Sequence, residues 1–207
     1  MRGKVDNIKV VFFDLGNVIV KVNYADMIAK IADTFHISEN LIMQPSLLAS
    51  EKEFERGRLT VEEHLTAVKK IFKSDGQVTI DDLEKIWQVA FDLKPDVWQI
   101  VQRLRKQVPL YLLSNTNALH IRAIRRKYDI LDKMDGLILS YEVGFLKPEP
   151  QIYEYALRKT GVTGREAVFI DDLPENVAGA EKLGMHAHQF STSPDLKEFL
   201  RKFGFRL

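Results

Sequence analysis

Ile8-Lys9-Val10-Val11-Phe12-Phe13-Asp14-Leu15-Gly16-Asn17 is the stretch on which the fold turns. Five of its first six residues are β-branched or aromatic, without polar alternation. That is the pattern of a strand covered on both faces, as in a parallel sheet under helices. The run halts at Asp14, a carboxylate set directly after Val-Val-Phe-Phe. From Tyr24 to Val89 the pattern turns helical, with apolar residues three and four apart over 26–35, 38–49, 60–72 and 79–89. Thr60-x-x-Glu63 reads as a capping box, and Ser74-Asp75-Gly76 as a break. After Pro95, helices alternate with strands near 109–113, 137–139, 167–170 and 185–189. Repeated βα units imply parallel strands joined by right-handed crossovers. The expected fold class is α/β: a Rossmann-like doubly wound parallel sheet with an inserted helical-bundle cap. The core would span residues 1–21 and 93–207, and the cap 22–92.

Composition narrows the function. A chain of 207 residues suits one domain, or a core with an insert. Thirty Lys and Arg against 29 Asp and Glu leave a net charge of +1, which gives no global attraction to nucleic acid or an anionic membrane. With no cysteine there is no disulfide framework, thiol nucleophile or thiolate metal site. A metal would need oxygen or imidazole ligands. Val10 to Val20 is interrupted by Asp14 and too short to span a bilayer. The polar lead of Arg2, Lys4, Asp6 and Asn7 is unlike a signal peptide. A soluble, cytoplasmic protein is expected, with a small molecule as its partner rather than nucleic acid or membrane. Oligomeric state is not readable from sequence.

In open parallel sheets, ligands sit beyond the carboxyl ends of the strands. Four polar signals fall there: Asp14, Ser114-Asn115-Thr116-Asn117, Lys147-Pro148 and Asp171-Asp172. Each has an ordinary explanation. Asp172 is placed to cap a helix, Ser114 to Asn117 is good capping chemistry, and Asp14 could simply end a strand. Their coincidence at one sheet edge carries more weight. Like charges gathered in a cleft need a cation, and oxygen ligands favour a hard ion such as Mg²⁺. A carboxylate nucleophile, a hydroxyl with helix-start N–H groups and a lysine together describe a phosphoryl site.

The order FFDLGNV, LLSNTN, LKP, FIDDLPEN resembles the haloacid dehalogenase-like hydrolase superfamily. It is most similar to the capped branch of bacterial sugar-phosphate phosphatases such as alpha-D-glucose-1-phosphate phosphatase. The resemblance implies that Asp14 is the nucleophile and that Ser114 and Asn115 bind the phosphoryl group. It makes Lys147 both catalytic and substrate-binding. Mg²⁺ would be held by Asp14, the Gly16 carbonyl and Asp172, with Asp171 a ligand directly or through water and Asn176 nearby. The implied activity is phosphatase action on a small phosphorylated metabolite, a sugar phosphate above all, through an aspartyl-phosphate. A haloacid dehalogenase-type hydrolase is an alternative, disfavoured by the Asp171-Asp172 pair. A catalytically weak relative that binds a phosphorylated ligand or partner is another, favoured by Gly16.

Gly16 stands where most phosphatases of the family carry a second aspartate as general acid and base. Such groups contribute roughly 10²–10⁴-fold, so a working enzyme biased toward aryl or anomeric leaving groups is expected. The segment Glu55-Arg56-Gly57-Arg58 is a candidate for specificity, its arginines suited to an anion, or else a solvated turn. Trp87 and Phe91 are assigned to the core. The basic run Arg122, Arg125, Arg126, Lys127 is read as a solvated face. His186 and His188 lack a third ligand, and His120 lies near the phosphate end without an assigned role.

Overall fold

The computed structural model describes residues 7–74 and 76–207. Asp75 of the expected break, and Arg2, Lys4 and Asp6 of the polar lead, lie outside them. The opening stretch forms β1 (Val10–Phe13), buried throughout. It is flanked by β4 (Leu110–Ser114) and β6 (Ala167–Asp171), with β5 (Gly136–Leu139) and β7 (His186–Gln189) outside them. The five strands are parallel in the order β5-β4-β1-β6-β7. The chain builds one side of β1, then returns to build the other. The switch point therefore lies between β1 and β6, where such sheets form their crevice.

Successive side chains along a strand face opposite ways, so the sheet carries two cores. Val11, Phe13, Leu112 and Ile170 pack on one face with α5 (Pro95–Leu104), α6 (Ala118–Lys127) and α10 (Ser193–Arg201). Val10, Phe12, Leu113 and Phe169 pack on the other with α8 (Pro150–Thr160) and α9 (Pro174–Glu181). Each buried large side chain contributes about 1.5–3 kcal/mol.

Between β1 and α5 runs a helical segment: α1 (Tyr24–Phe35), α2 (Pro45–Glu55), α3 (Val61–Phe72) and α4 (Ile80–Ala90). It has its own apolar centre, including Phe35, Phe54, Val68 and Phe72, which Leu119 of α6 also joins. Both of its clear helix starts are capping boxes, Thr60 with Glu63 and Thr79 with Asp82. Two features depart from the sequence reading. The expected helix over 38–49 is a short 3-10 turn at Glu39–Leu41 followed by α2, because Pro45 starts a helix far better than it continues one. A two-stranded antiparallel ribbon, β2 (Val20–Val22) with β3 (Phe91–Leu93), closes the base of the segment. Three residues a strand leave no periodicity to detect. Among the described residues no helix is long and apolar enough to cross a membrane.

The segment meets the core at the turn after α2. Gly57 has φ +69°, and a side chain there would overlap the carbonyl oxygen of Tyr141 in α7 (Ser140–Val143). Gly57→Ala is therefore expected to lose more than the roughly 1–2 kcal/mol of left-handed strain. Gly161→Ala is the control, since Gly161 has φ +67° but nothing within 4 Å of the added carbon. Denaturant unfolding of both variants measures the difference; equal losses would show that the approach at Gly57 is not tight.

Candidate active site

Asp14 leaves β1 with its N–H on the Ile170 carbonyl (2.8 Å), and the register of Phe13 beside Ile170 sets it next to Asp171. Lys147 joins the two: its Nζ lies 2.8 Å from Asp14 Oδ1 and 2.6 Å from Asp171 Oδ2. All three side chains are buried. Asp171 is held on every side. Asn176 Nδ2 donates to both its oxygens (3.0 and 3.1 Å), and the Leu173 N–H donates to Oδ1 (2.9 Å). Asn115 clamps the lysine backbone, donating from Nδ2 to the Lys147 carbonyl (2.9 Å) and accepting the Lys147 N–H at Oδ1 (2.8 Å). The Lys147–Pro148 peptide bond is cis.

Asp14, Asp171 and Asp172 each offer one oxygen, and these three atoms lie within 4.8 Å of one another. Three carboxylates against one ammonium leave two negative charges uncompensated. The donor set is all oxygen, so it fits a hard divalent cation. Burial is the main force on Asp14; with help from Asp171 and against Lys147, it pushes the carboxyl up to about 6. Asp172 is also raised, by burial and then by Asp171. Burial opposes the charge on Lys147, but Asp14 and Asp171 outweigh it and hold the ammonium above its ordinary value.

The loop after β4 divides its labour. Asn117 caps α6, its Oδ1 accepting the Leu119 and His120 N–H groups at 3.0 Å each. Thr116 is tied to Ser140, whose hydroxyl accepts the Thr116 N–H and donates to the Thr116 carbonyl, both at 2.9 Å. Ser114 is left on the cavity wall beside Asp14 and Lys147. Asp172 does not cap α9: the cap residue is Leu173, and no side-chain cap bond forms.

Asp14, Ser114, Asn115, Thr116, Lys147 and Asp172 line a cavity of about 350 Å³ together with Gly16, Asn176 and residues of the helical segment. Trp87 and Phe91, assigned to the core from the sequence, serve the cavity as well. They stack with ring centroids 5.7 Å apart, pack against the core, and form part of the cavity wall. Tyr24 and Glu55 line it too. Sequence reasoning placed weight on the arginines beside Glu55, and the structure reverses that. Arg56 forms a two-pronged pair with Glu149, and Arg58 pairs with Glu53. Both arginines are occupied by carboxylates, and the cavity receives Glu55 instead.

The basic run on α6 is not simply solvated. Arg126 pairs with the buried Glu84 at 2.7 Å and with Asp81 at 3.4 Å, Arg122 reaches Glu84 at 3.4 Å, and Lys127 reaches Asp92 at 3.1 Å. It fastens α4 and β3 to the core. His188 stacks on Phe199 (4.4 Å) and meets Asp195 at 3.2 Å. Among the described residues, the aspartate trio is the one group of three or more side chains arranged for a metal.

His120 sits edge-on to Trp87 (3.9 Å) and Phe91 (5.5 Å). Its Nε2 faces Asn117 Nδ2 at 3.1 Å and its Nδ1 faces Thr116 Oγ1 at 3.2 Å. Because Asn117 Oδ1 already accepts two backbone N–H groups, Nδ2 must be the donor toward Nε2, and the ring proton lies on Nδ1. Burial, with His64 nearby, pulls the imidazole down to about 3. The unfolded chain binds this proton near pH 6.5, whereas the folded chain does not until about pH 3. Stability is thus lost as pH falls between those values, by up to about 1.4 kcal/mol per unit. His120→Gln is expected to flatten the fall in Tm between pH 7 and 4.5. An unchanged slope would show that His120 does not drive it.

The sequence matches the model of the family described as haloacid dehalogenase-like hydrolase over residues 8–184. It is similar to a D-ribitol-5-phosphate phosphatase of Bacteroides thetaiotaomicron, with 27% identity covering 93% of this chain and 97% of the relative. It is also similar to a sesquiterpene phosphatase of Aspergillus oryzae, with 26% identity covering 86% and 87%. In fold it resembles a crystal structure of a family enzyme from Bacteroides thetaiotaomicron, with TM-score 0.84, 24% identity, and coverage of 94% and 99%. A structure from the same organism in complex with magnesium and inorganic phosphate has TM-score 0.78, 23% identity, and coverage of 89% and 94%.

Proposed function

Because this chain belongs to the haloacid dehalogenase-like hydrolase family, we propose that it is a Mg²⁺-dependent phosphatase of a small phosphorylated metabolite, a sugar or polyol phosphate. The observation that carries the reading is Lys147 bridging Asp14 and Asp171 on the floor of a small cavity. Similarity along nearly the whole chain to a D-ribitol-5-phosphate phosphatase supports the substrate class.

On this reading Asp14 attacks phosphorus and forms an aspartyl-phosphate. Ser114 and the backbone around Asn115 bind the phosphoryl oxygens, while the Asn115 side chain holds Lys147 in place. Lys147 keeps its proton and offsets the charge of transfer. Asp14, the Gly16 carbonyl and Asp172 would hold Mg²⁺, which supplies positive charge to the phosphoryl oxygens and the carboxylates. The bonds filling both oxygens of Asp171 favour a positioning role for it, shared with Asn176. Residues 22–92 act as a cap whose Trp87 and Phe91 meet the leaving group.

The test is phosphate release over a panel of sugar and polyol phosphates, nucleotides and glycolytic esters, with and without Mg²⁺. Release that requires Mg²⁺ and stops on chelation is expected. No release from any ester, or release indifferent to chelation, would overturn the reading.

A further inference from the structure

The first motif lacks a proton donor at Gly16, yet the cavity contains a carboxyl from the opposite wall. We propose that Glu55, the last residue of α2, is the general acid and base of this site, delivered by the helical segment in place of the missing aspartate. The proposal rests on the phosphatase reading.

The other protonatable groups around the cavity are already engaged. Asp14 is the nucleophile, and Lys147 is fixed between Asp14 and Asp171. Asp172 belongs to the acidic trio. Both nitrogens of His120 are bonded, and the ring is held neutral. Tyr24 stands at the mouth, 57% exposed. Glu55 lines the cavity and makes no ion pair among the described residues.

Its neighbours hold it there. Phe54 is buried in the helical centre, Arg56 is paired to Glu149, and Gly57 lies against the Tyr141 carbonyl. A carboxyl between three anchored residues is pre-positioned, as a proton-transfer group must be. Burial is the main influence on it, followed by Glu51 of its own helix and Asp14 across the cavity. Lys147 and Lys52 oppose them, and the balance is about 7. Glu55 can therefore both give and take a proton near neutrality.

The chemistry balances in two steps. An Asp14 oxygen forms a bond to phosphorus as the bond to the leaving oxygen breaks, and that oxygen takes the proton of Glu55. The resulting Glu55 carboxylate then removes a proton from water. The water oxygen bonds to phosphorus, and the phosphorus–Asp14 bond breaks. The products are an alcohol and inorganic phosphate, with Glu55 protonated and Asp14 ionised as at the start.

The test compares wild type, Glu55→Gln and Glu55→Asp on p-nitrophenyl phosphate and glycerol phosphate with Mg²⁺. Glu55→Gln is expected to lose roughly 10²–10⁴-fold in kcat on glycerol phosphate. On the aryl ester, whose leaving group needs no proton, it should release a burst of one nitrophenol per enzyme and then stall as phospho-enzyme. Glu55→Asp should restore part of the rate and the pH profile that the Gln variant loses. A Gln variant with wild-type kcat on both esters, or a raised KM alone, would overturn the assignment of Glu55. A wild type that releases no phosphate from any ester of the sugar, polyol, nucleotide and glycolytic panel would overturn the phosphatase reading, and this proposal with it.

Discussion

Asp14→Asn is expected to lower kcat by roughly 10⁴-fold or more while leaving the protein folded, the scale seen when a nucleophile is removed from a cooperating site. The change is nearly isosteric, and Asp14 is 8% exposed, so packing around the end of β1 should persist. The amide cannot form an acyl-phosphate with the same ease, because its nitrogen lone pair is delocalised and it carries no charge. Lys147 keeps its second partner, Asp171, at 2.6 Å, so the variant does not strand an ammonium. The measurement is steady-state kinetics on the best ester from the panel, with far- and near-UV circular dichroism to confirm the fold. Full residual activity would remove Asp14 from the nucleophile's role.

Lys147→Met should damage stability as well as rate. Removing one partner from a buried charged group costs about 3–5 kcal/mol, which in a chain of this size lowers Tm by about 6–20 °C. Loss of one electrostatic contact to the transferring group costs a further 10²–10³-fold in kcat, to an order of magnitude. The variant also carries a pH signature. Without the ammonium, Asp14 loses the charge that opposes the effect of its burial, and its folded-state pKa, already raised to about 6, climbs further above that of the unfolded chain. The folded state then binds more protons, so stability increases as pH falls through the raised value. The Tm gap from wild type should narrow toward pH 5. A constant gap would show that Lys147 contributes packing rather than charge.

Much of this architecture was legible because burial leaves a strong mark on sequence. Val10 to Phe13 could be placed in the sheet centre because a strand covered on both faces has no polar positions. The four polar signals could be assigned to one edge because parallel strands bring their carboxyl ends together. Weaker features were lost for identifiable reasons. The β2–β3 ribbon is too short to show a period, and Pro45 was absorbed into an apolar pattern that it interrupts. Glu55, Arg56 and Arg58 were all visible, but charge sign alone suggested that the arginines would meet the anion. Partners decide the matter: Glu149 lies 93 residues from Arg56, so nothing local shows that it takes up that arginine, whereas Glu53 stands five residues before Arg58. Trp87 and Phe91 show a similar ambiguity, since a core face and a cavity wall have the same helical spacing.

Glu55, Arg56 and Gly57 follow one another in the chain, and each touches a different thing: the cavity, Glu149 and the Tyr141 carbonyl. Glu149 in turn lies two residues beyond Lys147. The chain on the far side of the cleft is thereby coupled to the lysine on its floor through a single ion pair. Lifting the helical segment by any route withdraws Glu55, parts Arg56 from Glu149 and frees Gly57 together. The arrangement behaves as an interlock. On the proposed reading, opening the segment would carry the acid away from the site, so a solvent-filled state would be unreactive.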